Sequence, residues 1–84
     1  MKLNDILIQA CEDGHIAIAR YALDNGADVH GRALYLASMN GHVEIVKLLL
    51  EYGANVRACG DALYWARENG HAEVVKILKQ YMEK

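Results

Sequence analysis

The dipeptide Gly-His occurs three times in this 84-residue chain, as Gly14-His15, Gly41-His42 and Gly70-His71, at spacings of 27 and 29 residues. Neighbouring positions recur at the same offsets: Leu7, Leu34 and Leu63; Ala10, Ala37 and Ala66; Ile18, Ile45 and Val74. Leu23 and Leu50 also correspond, but the last copy has Lys79 in their place. Further on, Gly26-Ala27-Asp28-Val29 is answered by Gly53-Ala54-Asn55-Val56. Units this short cannot bury an apolar face alone, so near-copies in tandem confine the chain to a stack in which each unit covers its neighbour.

Each copy carries two helical patterns. Before Gly41, Leu34, Ala37 and Ser38 fall three and four apart, as one face of a short amphipathic helix does. After it, Val43, Ile45, Val46 and Leu48 to Leu50 form a broad apolar face, while Glu44, Lys47 and Glu51 make a wet stripe. The third copy repeats that stripe with Glu73, Lys76 and Gln80. Asp61 is expected to N-cap the third copy's first helix, and Asn4 or Asp5 the first copy's. Gly26 and Gly53 stand where a left-handed residue ends a helix. With no proline and 54% hydrophobic residues, the chain reads as all-α: helix, turn, helix, loop, three times over. One domain over 1–84 is expected, with units at approximately 4–30, 31–57 and 60–84.

The stretches "ALYLASMNGHVEIVKLLLEYGANV" and "ALYWARENGHAEVVKILKQY" resemble ankyrin repeats, whose units run about 33 residues with a Thr-Pro-Leu-His-x-Ala signature. The resemblance covers roughly residues 4–81 and implies a helix-turn-helix solenoid that binds proteins. It implies too that the turn histidines cap by hydrogen bonding. Two departures stand out. Only the Leu of the signature survives, in Arg32-Ala33-Leu34-Tyr35, Asp61-Ala62-Leu63-Tyr64 and Asp5-Ile6-Leu7-Ile8. Tyr35 and Tyr64 take the place of the signature His, where packing plus a hydroxyl contact would substitute for it. The units are also about four to six residues short of the family length. Because the segment from Gly-His to "GANV" is complete, the loss falls between "GADV" and "ALY", in the β-hairpin finger. Short loops are expected in its place. Similarly shortened units occur in ankyrin proteins of some large viruses and microbes.

The ends differ from the middle. Lys79 replaces a leucine, Met82-Glu83-Lys84 replaces "GAN", and Arg67 stands where Cys11 and Ser38 are small, which reads as a polar C-terminal cap. A monomer is expected, with end-to-end self-association as its alternative.

Little in the chain promises chemistry. His15, His42 and His71 hold the same position in successive units, about 10 Å apart as in packed helix layers. Zinc ligands must instead converge at about 2 Å. His30 stands alone in a loop. Cys11 and Cys59 lack a metal or redox spacing; Cys11 reads as a small core residue, and Cys59, in "RACGD", as an exposed thiol without a base nearby. No glycine loop cradles a phosphate. Neither an enzyme nor a metal or other cofactor is expected. Net charge is −2 with no basic run, so no nucleic-acid partner is expected either. The apolar run Leu48 to Leu50 is far too short for a span of about 20 residues, and the first fifteen residues lack a signal peptide's apolar stretch. With two unpaired-looking cysteines, the expected location is cytoplasmic.

What remains is recognition of another protein. With the fingers shortened, the expected surface is the first-helix face and its flanking loops: Arg32, Tyr35, Leu36, Met39, Asn40, Arg57, Tyr64, Trp65, Glu68 and Asn69. Trp65 aligns with Gln9 and Leu36 and reads either as a contact anchor or as local packing over Tyr64 or Leu36. Met39 reads as contact or filler, and Arg32 and Arg57 as solvated loop charges or handles for an acidic partner. The alternative function is a structural or engineered repeat scaffold with no dedicated partner, against which the unequal unit lengths speak.

Overall fold

Six helices follow one another in the order α1 (Leu3–Asp13), α2 (Ile16–Asp24), α3 (Gly31–Met39), α4 (Val43–Glu51), α5 (Gly60–Glu68) and α6 (Ala72–Met82). The structure is a computed structural model and describes residues 2–29, 31–57 and 60–83. His30 and Cys59, to which the sequence assigns loop positions, lie outside the described residues. Among the described residues there is no strand, in keeping with short loops where a finger would stand.

Each Gly-His pair closes a first helix by the same bonds. The backbone N–H groups of His15, His42 and His71 donate to the carbonyls of Ala10, Ala37 and Ala66 at 3.0, 2.9 and 2.9 Å. The second helices end alike, Ala27 N–H reaching the Ala22 carbonyl and Ala54 N–H the Leu49 carbonyl, both at 3.0 Å. Gly26 and Gly53 are left-handed there, at φ of 101° and 97°, as their position after a helix requires.

The helix starts differ from expectation. Lys2 stands at the N-cap of α1, so Asn4 and Asp5 lie inside its first turn, and Asp61 likewise lies inside α5. Asn4 is used elsewhere: its Oδ1 accepts the Asp28 backbone N–H at 2.8 Å and its Nδ2 donates to Asp28 Oδ2 at 3.3 Å. The side chain that resembled a cap thus fastens α1 to the exit loop of its own unit.

α3 contacts both α1 and α5, and α4 contacts both α2 and α6, so the first helices form one row and the second helices another. The repeated apolar positions fill the space between. Leu7, Leu34, Ala10, Ala37, Ala66, Ile45, Leu49, Val74 and Leu78 are buried, together with Cys11. On the opposite side, Glu44, Lys47, Glu51, Glu73, Lys76 and Gln80 are exposed. Lys47 approaches Glu44 at 3.9 Å, an exposed pair worth a few tenths of a kcal/mol at about 0.3–0.5.

Two buried groups at the same repeat position make separate predictions. Ser38 is fully buried, and its Oγ has no hydrogen-bond partner among the described residues. A hydroxyl left so costs about 1–3 kcal/mol, whereas a thiol suits the same space, as Cys11 shows one unit earlier. Ser38→Cys is expected to raise the unfolding free energy by about 1 kcal/mol in urea denaturation.

Burial pushes the Cys11 thiol up from 9.0 to about 12. Below pH 9 both folded and unfolded chains hold this proton, so the site adds no pH dependence. Between the two values the unfolded chain loses a proton that the native chain keeps. Stability therefore falls as pH rises, by up to about 1.4 kcal/mol per pH unit. Comparing urea midpoints of the native sequence and Cys11→Ala from pH 8 to 11 isolates this slope, which the variant lacks.

Candidate functional site

Along a helix, positions four and then three apart share a face. On α3 this spacing links Arg32, Leu36 and Met39; on α5 it links Asp61, Trp65 and Glu68; on α1, Asp5, Gln9 and Glu12. Arg32 is exposed and Leu36 and Met39 are half-buried, while Trp65 keeps 38% of its surface in solvent. The three helices pack side by side, so these ridges form one surface. Its middle is apolar, at Leu36, Met39 and Trp65. Its flanks carry Asp5 and Glu12 on one side and Asp61 and Glu68 on the other, all exposed.

Trp65 does pack locally. Its ring meets Tyr64 edge to face at a centroid distance of 5.1 Å and an interplanar angle of 87°. Such a pair contributes about 0.5–1.5 kcal/mol beyond its area and holds both rings in one orientation. Tyr64 is 54% exposed and Tyr35 half-buried. Neither hydroxyl is hydrogen-bonded among the described residues, so the hydroxyl contact expected at the signature-histidine position is not made there, and the ring contact with Trp65 is what engages Tyr64.

Three of the expected surface residues have jobs within the fold. Asn40 Nδ2 donates to the Leu36 carbonyl at 3.0 Å, and Asn69 Nδ2 crosses to the Met39 carbonyl of the preceding unit at 3.0 Å. Arg57 turns back on the stack, its Nη2 donating to the Met82 carbonyl at the end of α6. The Asn69 and Arg57 bonds join residues about one repeat apart, a separation the sequence could have flagged.

The histidines do something other than cap their own turns. None makes a side-chain cap bond. Instead the His42 Nε2–H donates to the Glu12 carbonyl, and the His71 Nε2–H to the Met39 carbonyl, each at 3.0 Å. Each ring lies over the glycine of the preceding turn, so a Cβ on Gly14 or Gly41 would lie 2.7 Å from His42 Cε1 or 2.5 Å from His71 Nδ1. With the rings so engaged, no three His, Cys, Asp or Glu side chains gather as a metal site among the described residues. A further inter-repeat bond runs from the Tyr52 hydroxyl to Asp24 Oδ1, which holds the phenol above its ordinary pKa. No helix among the described residues is long and apolar enough to cross a membrane.

Stacked helix-turn-helix units bound by contacts between successive turns define a solenoid, whose rigid surface is suited to binding other macromolecules. The family profile described as "Ankyrin repeats (3 copies)" matches residues 7–84, and the chain belongs to the ankyrin repeat family. It is similar to two ankyrin repeat proteins of Acanthamoeba polyphaga mimivirus. One is 48% identical over 58 residues, covering 69% of this chain and 10% of the relative; the other is 34% identical over 47 residues, covering 56% and 11%. The matched region thus spans about a tenth of either relative. Ankyrin repeats are generally protein–protein interaction modules, and the family is generally non-enzymatic.

Proposed function

We propose that the chain binds a protein segment through the ridge centred on Leu36, Met39 and Trp65. The observation that carries this reading is a partly exposed apolar row set between acidic flanks on a rigid stack. Asp5, Glu12, Asp61 and Glu68 outnumber Arg32 on this surface. The partner that fits presents an apolar side chain with Lys or Arg beside it, which reverses the acidic partner first considered for Arg32 and Arg57. Trp65 is the anchor: its ring is oriented by Tyr64 before binding, so little rotamer entropy is lost on contact. We place the interaction in the cytoplasm, a reading supported by a buried thiol that needs no disulfide.

Trp65→Ala is expected to weaken the partner's binding at least 30-fold, the size of a hot-spot loss of about 2 kcal/mol. The melting temperature should move only slightly, because the lost Tyr64 contact is small. Capture from a lysate followed by titration of the purified partner measures the first, and a thermal melt the second. Binding should also weaken with added salt, since exposed charges are screened. A loss of 2 kcal/mol or more of stability with unchanged binding would assign Trp65 to the scaffold instead.

A further inference from the structure

Three Asn-Gly pairs stand in the chain: Asn25-Gly26, Asn40-Gly41 and Asn69-Gly70. In such a pair the glycine backbone N can attack the asparagine Cγ, because glycine has no side chain to shield it. The C–N bond to the side-chain amide then breaks, ammonia leaves with the glycine's proton, and a cyclic imide remains. Water adds to either imide carbonyl and gives aspartate or isoaspartate. All three asparagines are exposed, so water reaches each of them.

The fold opposes ring closure. The imide needs the glycine N in line with the asparagine Cβ, whereas a ψ of 12° at Asn25 sets it in line with the asparagine's own backbone N. The three glycine N–H groups are engaged alike, donating to the carbonyls of Leu23, Ser38 and Arg67 at 3.2 Å. At the third pair, ring closure would pull Gly70 N from the Arg67 carbonyl and His71 N from the Ala66 carbonyl, the bonds that close α5. The side-chain amides are also held, but by different partners. Asn25 and Asn40 donate to carbonyls of the helix they follow, Tyr21 at 2.8 Å and Leu36 at 3.0 Å. Asn69 Nδ2 instead crosses to the Met39 carbonyl of the preceding unit, the same oxygen that accepts the His71 Nε2–H.

We propose that Asn69-Gly70 is a self-modification site, silent while the second and third units are stacked and released when they part. Deamidation there also prevents the units from closing again as before. A carboxylate at position 69 has no proton to donate to the Met39 carbonyl, so two acceptors face each other. In the first unit the aligned residue is already a carboxylate, Asp13, and Gln9 Nε2 donates to it at 2.8 Å from four residues before. Four residues before position 69 stands Trp65, its ring set against Tyr64. Isoaspartate adds a backbone methylene as well, which shifts His71 away from the Met39 carbonyl. The reaction thus turns a transient parting of two units into a lasting one.

The test incubates the unaltered chain at neutral pH in native buffer and in urea above its unfolding midpoint. Peptide mass spectrometry then quantifies aspartate and isoaspartate at the three sites. In native buffer Asn69 should react at least about 30-fold more slowly than in urea, the factor for two turn bonds that must open first. His71→Ala removes the second donor to the Met39 carbonyl. It should speed the Asn69 reaction several-fold in native buffer while leaving Asn25 and the rates in urea unchanged. Should circular dichroism show this variant unfolded, the parent in urea below its midpoint replaces it, and Asn69 should accelerate before Asn25. Equal rates at Asn69 in native buffer and in urea overturn the proposal, as does acceleration of Asn25 in step with Asn69. Asn69→Asp, which reproduces one product, should unfold at lower urea concentration than the parent; an unchanged midpoint would also overturn it, because the carboxylate would then leave the joint intact.

Discussion

Gly41→Ala is expected to lower the stability of the stack by about 3–6 kcal/mol, a large part of the roughly 4–13 kcal/mol available to a domain of this size. Two separate effects combine. Gly41 has φ of 72°, and a side chain in the left-handed region costs about 1–2 kcal/mol. The new Cβ would also lie 2.5 Å from His71 Nδ1, closer than two atoms can sit, so the ring must leave the Met39 carbonyl. Losing that bond costs about 1 kcal/mol, and crowding in a packed layer about 1–3 kcal/mol. The chain contains its own control in Gly70, with a similar φ of 75° and open space around it. Gly70→Ala should cost only the backbone part, about 1–2 kcal/mol. Urea denaturation of both variants gives the contribution of the histidine layer by difference. Equal losses would mean that the rings over Gly14 and Gly41 do not help hold the units together.

That layer shows how far sequence reaches and where it stops. The recurrence of Gly-His, the spacing of Leu7, Leu34 and Leu63, and the pairs Gly26 and Gly53 made the helices, their order and the core readable. They are readable because periodic burial forces periodic residues, and a left-handed helix end admits few side chains. The function of the histidines was not readable in the same way. A His at a turn has two ring nitrogens and can bond within its unit or beyond it. Only the stacking distance decides that the ring reaches the unit before. Asn4 shows a similar ambiguity, since a polar side chain near a helix start serves equally as a cap or as a tie to a loop 24 residues away. Asp61 had the right chemistry for a cap, but α5 begins one residue ahead of it, at Gly60.

The candidate site was legible in composition and less so in geometry. Leu36, Met39 and Trp65 follow from aligning the copies on the first-helix face that the resemblance to ankyrin repeats implies. Arg57 does not: from the sequence it is a loop cation, and in the fold its guanidinium is bound at the end of α6. Asn40 and Asn69 likewise bind carbonyls rather than standing ready for a partner. What the sequence could have supplied was the repeat length used as a ruler. Asp24 to Tyr52, Glu12 to His42 and Met39 to Asn69 are separated by 28, 30 and 30 residues, each close to one unit. In a solenoid, residues one period apart are neighbours, so complementary polar pairs at that offset are contacts to look for.

The same one-dimensional logic governs the second large effect. Leu49 and Leu78 occupy equivalent positions in the second and third units, and both are fully buried. Truncating either to Ala removes a similar amount of packing and should cost about 2–5 kcal/mol. The consequences differ because α4 contacts both α2 and α6, whereas α6 packs on α5 and α4 at the end of the described stack. Leu49→Ala weakens the unit through which the other two are joined, and about three units are needed for stability. The whole stack is therefore expected to unfold in one step, with the urea midpoint lowered and the slope unchanged. Leu78→Ala weakens only an end. Its terminal unit is expected to open first, which lowers the apparent slope because less surface is exposed in each step. Amide hydrogen exchange separates the two outcomes: protection in α1 to α4 should survive Leu78→Ala longer than in α5 and α6, and should fall together in all six helices for Leu49→Ala. Uniform loss in both variants would mean that the three units are coupled too strongly for an end to open alone, and the nearest-neighbour description would fail.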